Sequence, residues 1–217
     1  MKIRSSEYRA RASTVWDLLI VLVIIAVLVG LFLPTVASSG HNKSPRFACL
    51  SHLKQIGVGL RVWSNDHGDK FPMAVAADKE GSLDFIGKGE AFRHFQALSN
   101  LLDNPKILTC PSDKSRKPAK NFATLNDRNL SYFIGLDADE TLPQMILSGD
   151  RNLTTNGHLM SGILTLDGDT RVIWTKDVHK HCGNVGLADG SALQATDAAL
   201  TNQISVSPNL PVRLEIP

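Results

Sequence analysis

The chain has 217 residues and a mass of 23.6 kDa, with 43% hydrophobic residues, 20% charged residues and a formal net charge of +2. These averages lie near those of soluble globular domains. They exclude a disordered chain, a collagen-like chain, a polytopic membrane protein and a strongly basic nucleic-acid binder. The length suits one domain with an accessory segment, and three cysteines are too few for a disulfide scaffold.

Charge and hydrophobicity are unevenly spread. Residues 1–12 carry Lys2, Arg4, Arg9 and Arg11 against Glu7, a basic leader of net +3. Residues 18–33 hold no polar side chain. Beyond Asp17 the acidic and basic residues balance, so all the positive excess precedes the apolar run. Sixteen helical residues cover about 24 Å. With Val15, Trp16, Thr35 and Val36 the run nears the ~20 residues that cross a bilayer. The basic flank orients such a span with the N-terminus cytoplasmic and the bulk of the chain exported. Two other readings stay open: a buried core helix, and a cleavable secretory signal with Thr35-Val36-Ala37 as its cleavage site. Thr14 and Asp17 have capping-box spacing, and an acidic group in the first turn suits the helix dipole.

A second helix is predicted over 46–63, where Phe47, Leu50, Leu53, Ile56, Leu60 and Trp63 mark one apolar face. Ser44-Pro45 provides an N-cap and first-turn pair, and Gly40 and Pro45 bracket a break or kink. Asp66-His67-Gly68-Asp69 reads as the turn that ends this helix. Phe92, Phe95, Leu98, Leu101 and Leu102 predict a short amphipathic helix over 90–102. The period then shortens toward two, giving candidate strands at 106–110, 130–135, 144–149, 162–167, 171–175, 184–188 and 191–195. Pro111-Ser112-Asp113, Asp167-Gly168-Asp169 and Asp189-Gly190 separate them. Asp-Gly between short strands favours a tight hairpin. The expected fold class is α+β, with a long N-terminal transmembrane or stem helix packed on a mostly antiparallel sheet.

Residues 12–34 resemble the N-terminal processing segment of type IV pilins and type II secretion pseudopilins. A basic leader ends in a small residue, an acidic residue stands fifth in the mature chain and a proline twenty-second. Cleavage between Ala12 and Ser13 puts Asp17 and Pro34 at those two places. The sequence has Ala12 where the family usually has Gly, and Ser13 and Asp17 where it usually has Phe and Glu. The resemblance implies a prepilin peptidase that removes the leader, N-methylation of the new terminus, and packing of the apolar helix with other pilin-like subunits. Asp17 would then meet a neighbour's amino terminus, since a charge buried in an apolar bundle is costly without a partner. Cys49 to Pro72, Cys110-Pro111-Ser112-Asp113, and His179 through Asp189-Gly190 resemble a pilin-like subgroup with a C-terminal H-X9-DG domain. The implied organisation is a leader at 1–12, a transmembrane and assembly helix at 13–36, a stem continuation at 37–70 and an exported β-rich domain at 71–217 with the motif at 179–190.

The remaining chemistry is sparse. His179, His181 and Cys182 form H-x-H-C, with Asp189 or Cys110 as a further ligand, and this could seed a zinc site. No CxxC or HExxH supports it. Asp150 to Gly157 superficially follows a calcium loop but lacks the required Gly and Glu; calcium at Asp66 and Asp69 is left open. No nucleophile elbow, Walker loop or dinucleotide fingerprint occurs. A Cys49–Cys110 disulfide would tie the helix to the sheet across about sixty residues, leaving Cys182 free. The expectation is therefore a non-catalytic pilin-like subunit with no resident cofactor, calcium apart. It would be a single-pass protein of the inner membrane, with its C-terminal domain periplasmic or on an extracellular filament. Its partners would be prepilin peptidase, other pilin-like subunits and the inner membrane, not nucleic acid. The alternative is an uncut, membrane-tethered or secreted periplasmic binding module.

Overall fold

The computed structural model describes residues 15–38, 45–155, 157–167, 170–208 and 211–217, with side chains of the first helix described through residue 29. Ala12, Ser13 and the rest of the leader lie outside the described residues, as do Gly168 and Asp169 of one expected turn. The chain divides into two compact units, Met1–Asn42 and Lys43–Pro217.

The first unit holds α1 (Val15–Ser38), with Asp17 in its first turn and Pro34 within its span. From Val15 to Val29 the large apolar side chains are 49–75% exposed. The sequence predicted a long stem packed on the sheet, and this is corrected: α1 exposes its apolar surface, and a different helix covers the sheet. The expected single-pass inner-membrane topology is corrected too. Among the described residues no helix is long and apolar enough to cross a membrane. The next helix is amphipathic, with one buried and one exposed face.

That helix, α2 (Pro45–Asp66), belongs to the second unit. Pro45 suits its first turn, where the missing N–H would lack a partner anyway. Cys49, Leu53, Ile56, Leu60 and Trp63 form its buried face, while Phe47, read as part of that face, is 57% exposed. The helix ends in the expected turn, with the Asp69 N–H bonded to the Ser64 carbonyl at 3.0 Å and Gly68 at φ 68°. The expected helix over 90–102 shrinks to α3 (Phe92–Gln96) followed by turns.

The strands are β1 (Tyr132–Gly135), β2 (Ile146–Asp150), β3 (Leu153–Thr154), β4 (Gly162–Leu166), β5 (Ile173–Trp174), β6 (Gly183–Leu187), β7 (Ala192–Ala195) and, after helix α4 (Asp197–Ser205), β8 (Val212–Ile216). Six form a sheet in the order β4-β8-β1-β2-β6-β7, with every neighbouring pair antiparallel. β3 and β5 form a separate antiparallel pair. Residues 106–110 are no strand. Pro105 starts a 3₁₀ turn whose Lys106 N–H is accepted by the Asn104 side chain, and Cys110 follows in loop. Alternation along β1 sorts the core: Tyr132 and Ile134 join the α2-side cluster with Leu53, Ile56 and Leu60. Phe133 points to the other face, with Trp174, Val185, Leu200 and Leu214. Both faces are covered, so β1, β2 and β6 are buried along their whole length.

Candidate functional site

The chemistry-bearing side chains gather where the first turns of α2 meet the end of β2 and the loop entering β6. Cys49 from α2 and Cys110 from the loop after the 3₁₀ turn are joined by a disulfide, with Cα atoms 5.1 Å apart. Both residues are essentially closed to solvent. His179 lies over the bond, its Nε2 3.4 Å from Cys110 Sγ and 3.4 Å from Asp150 Oδ2. A disulfide sulfur carries no hydrogen, so in this contact the imidazole Nε2–H donates.

Burial pushes the Asp150 carboxyl up to about 7, even though Oδ2 accepts from the backbone N–H and side-chain amide of Asn184 at 2.7 and 2.8 Å. Burial, reinforced by the charge of Arg46, pulls His179 down to about 4. Between those values both groups are mainly neutral, so their contact is not an ion pair despite its distance. Asp150 Oδ1 is buried without a hydrogen-bond partner.

Two further layers hold the cluster. Arg151 grips Asp113 with Nε at 2.7 Å and Nη2 at 3.0 Å, almost wholly buried. Burial alone would raise the Asp113 carboxyl. The Arg151 guanidinium and the hydroxyls of Ser115 and Ser131 outweigh that effect and hold it below its ordinary value. The buried Tyr132 hydroxyl, pushed well above the usual phenol range by burial, is hydrogen-bonded with His52 Nδ1 at 3.3 Å. A surface cavity of about 510 Å³ reaches this region, lined by His52, Thr109, Cys110, Asp113, Lys114 and Arg116 among others.

The H-X9-DG motif thereby acquires a structural role. Its histidine lies over the disulfide anchored at Cys49. Eleven residues later its glycine lies against Gly57 on the same helix: a Cβ added at Gly57 would stand 3.1 Å from Gly190 Cα. Arg61 Nη1 donates to the Asp189 carbonyl at 2.9 Å. The two ends of the motif clamp α2 two turns apart, with β6 running beneath it. Asp189 and Gly190 do form the β6–β7 hairpin, but only Gly190 takes positive φ, at 81°. Leu187 N–H bonds to Ser191 O, which makes a three-residue loop with the glycine at the bulge position.

H-x-H-C does not converge as a ligand set. The Cys182 thiol donates to the His179 carbonyl, and His181 is exposed with its backbone at φ 62°. Lys180 is likewise left-handed at φ 55°. Two consecutive non-glycine residues in that region are costly, and together they reverse the chain so that His179 faces the disulfide while His181 faces water. Among the described residues, the grouping of three potential metal ligands is Cys49, Cys110 and His179, whose ligand atoms lie within 4.8 Å of one another.

Sequence reasoning did not reach Asp150 as a partner of His179, nor a second buried constellation. His94 Nδ1 lies 2.7 Å from Ser82 Oγ, and Nε2 lies 3.0 Å from Glu215 Oε2. The connectivity is that of a hydrolase triad, but Ser82, His94 and Glu215 are all sealed from solvent. The contact works as a tie between the segment before α3 and β8, without access for a substrate. No local pattern announces either cluster, since the partners lie far apart in sequence. No family model, curated protein or solved structure matches this chain.

Proposed function

We propose that this chain is a non-catalytic, pilin-like subunit that assembles into a filament of a type II secretion or type IV pilus-like system, after a prepilin-type peptidase removes residues 1–12. The observation that carries this reading is α1. Beyond Asp17 its described side chains are apolar on every side and about half or more exposed, in a unit separate from the folded domain. A helix apolar all round is stable only when covered, and exposed patches of this kind mark interaction sites. Equivalent helices of other subunits would cover it. Asp17 would then supply the polar contact that sets register in the apolar bundle, because a charge buried there needs a partner.

The second unit fits a display role. Its sheet is covered on both faces, α2 is stapled by the disulfide, and the two hydrogen-bonded clusters that carry reactive residue types are closed. The deciding experiment is mass spectrometry of the mature N-terminus from the native host, paired with electron microscopy of sheared surface material. A chain beginning at Ser13, present in filaments that are lost on Asp17→Ala substitution, is the expected result. A chain beginning at Ser38, or an uncut chain absent from any filament, overturns the reading.

A further inference from the structure

The disulfide, His179 and Asp150 form an arrangement that structural stapling alone does not require. A disulfide buried in a core asks only for apolar neighbours, yet this one is overlaid by an imidazole held in place by two left-handed residues. We propose that reduction of Cys49–Cys110 converts this cluster into a Cys2His site for a thiophilic divalent metal such as zinc, with a water in the fourth position held by Asp150 beside it.

The distances already fit. Tetrahedral zinc with Zn–S near 2.3 Å and Zn–N near 2.0 Å places a sulfur and a nitrogen ligand about 3.5 Å apart. Cys110 Sγ and His179 Nε2 are 3.4 Å apart. The change needed is between the two sulfurs, which must open to about 3.8 Å, the edge of the same tetrahedron. Asp150 Oδ2 is 3.4 Å from the ligand nitrogen, and its Oδ1 has no hydrogen-bond partner. The carboxyl thus neighbours the ligand histidine but stands outside the 4.8 Å grouping of the three ligand atoms, the place of a group that holds a metal-bound water.

The chemistry balances. A small dithiol enters the cavity beside Cys110 and meets its sulfur on local opening, since Cys110 is buried in the closed state. Its first sulfur attacks Cys110 Sγ, the Sγ–Sγ bond breaks and Cys49 leaves as a thiolate. The second sulfur of the reductant then attacks its partner sulfur and releases Cys110. The protein gains two electrons and two protons, and the dithiol becomes a disulfide. Metal binding expels both thiol protons to solvent. The imidazole stays neutral by carrying its hydrogen on Nδ1, so that Nε2 offers its lone pair. Two thiolates neutralise a divalent ion, and a neutral assembly is what a buried site accommodates. A neutral water fills the fourth position, and Asp150 beside His179 accepts its hydrogen, so the charge count is unchanged. Oxidation and metal binding exclude each other, so the site is read as a redox-gated one.

The test uses the full chain, reduced anaerobically with a dithiol, desalted and titrated with zinc or with cobalt(II) as an optical probe. Reduced wild type is expected to bind one equivalent, with thiolate-to-cobalt charge transfer and the d–d bands of a tetrahedral ion; the oxidised protein binds none. Loss of a direct ligand in His179→Ala should weaken binding by more than the roughly 10–100-fold that an outer partner costs. Cys182→Ser should leave it unchanged. Absence of metal binding by the reduced wild type overturns the proposal whatever the variants do. So does binding that survives His179→Ala, which would report unstructured thiols, or binding lost in Cys182→Ser, which would place the site elsewhere. His179→Gln, close in volume, repeats the comparison should the alanine variant not fold.

Discussion

Asp150 and His179 respond to pH with opposite signs in the disulfide-bonded protein. Folding raises the Asp150 carboxyl from its ordinary value near 4 to about 7. Its contribution is therefore fully present below pH 4 and is lost as pH rises toward 7. Folding lowers His179 from its ordinary value near 6.5 to about 4, so its neutral burial costs stability increasingly as pH falls from 6.5 to 4. The two slopes, each at most about 1.4 kcal/mol per pH unit, offset one another across that window. Denaturant titrations at a series of pH values should show wild type nearly flat from pH 4 to 6.5. Asp150→Asn should lose stability as pH falls through this range, and His179→Asn should lose it as pH rises from 4 to 7. Arg46 and Asp113 also act on the pair and remain in both variants. Parallel profiles for the two variants would contradict the assignment. A second residue-scale expectation concerns the clamp on α2. Gly57→Ala gains up to about 1 kcal/mol of helix propensity but drives a methyl against the Gly190 backbone at 3.1–3.2 Å. Overpacking of that kind costs about 1–3 kcal/mol, so the variant should be net destabilised by about 1 kcal/mol in thermal or chemical unfolding.

At the scale of elements, the disulfide and the Arg151–Asp113 pair hold α2 and the 110–116 loop to the sheet. Closing 61 residues removes roughly 4 kcal/mol of denatured-state freedom in the chain-entropy treatment. A Cys49→Ala, Cys110→Ala double variant should lose about 2–5 kcal/mol in denaturant unfolding, and the same loss should appear on reducing wild type without metal. Arg151→Ala strands a buried carboxylate and should cost about 3–5 kcal/mol. Arg213→Ala, at the half-exposed pair with Asp137, should cost under about 1 kcal/mol. The elements differ in how far the sequence disclosed them. The apolar spacing of Leu53, Ile56, Leu60 and Trp63 sufficed for α2, since a helix face is a local pattern. The runs at 130–135, 144–149, 162–167 and 184–188 likewise carried β1, β2, β4 and β6. Residues 106–110 were read as a strand on hydrophobicity, but Asn104 and Pro105 fix a 3₁₀ turn there. β8 and α4 were missed, although Thr196 caps α4 by accepting from Ala199 N–H and Val212, Leu214 and Ile216 alternate inward. The candidate strand ending at residue 149 stopped one short of Asp150, whose importance comes from a neighbour 29 positions on. Pairings of that range leave no trace in spacing, which is why the cysteines were legible as a bridge but their surroundings were not.

For the whole molecule, the division at residue 42 sets the clearest expectation. The second unit has its own two-sided core, so a chain lacking residues 1–42 should melt at the full-length temperature within about 2 °C, retain the disulfide, and fail to join filaments. A large drop in melting temperature would show that the first unit contributes to the fold. Assembly and folding are on this reading separable properties, one carried by α1 and the other by the sheet. The sheet imposes its own order of events. β8 lies between β4 and β1, and Glu215 within it accepts the contact from His94. A ribosome delivers residues in sequence, and until residue 216 has emerged β1 and β4 have no strand between them. Everything synthesised earlier must wait with those edges unpaired, a state prone to wrong pairing. The strand that closes the sheet is thus made after every other strand in it, and the sheet's exposure to misassembly lasts until that strand is delivered.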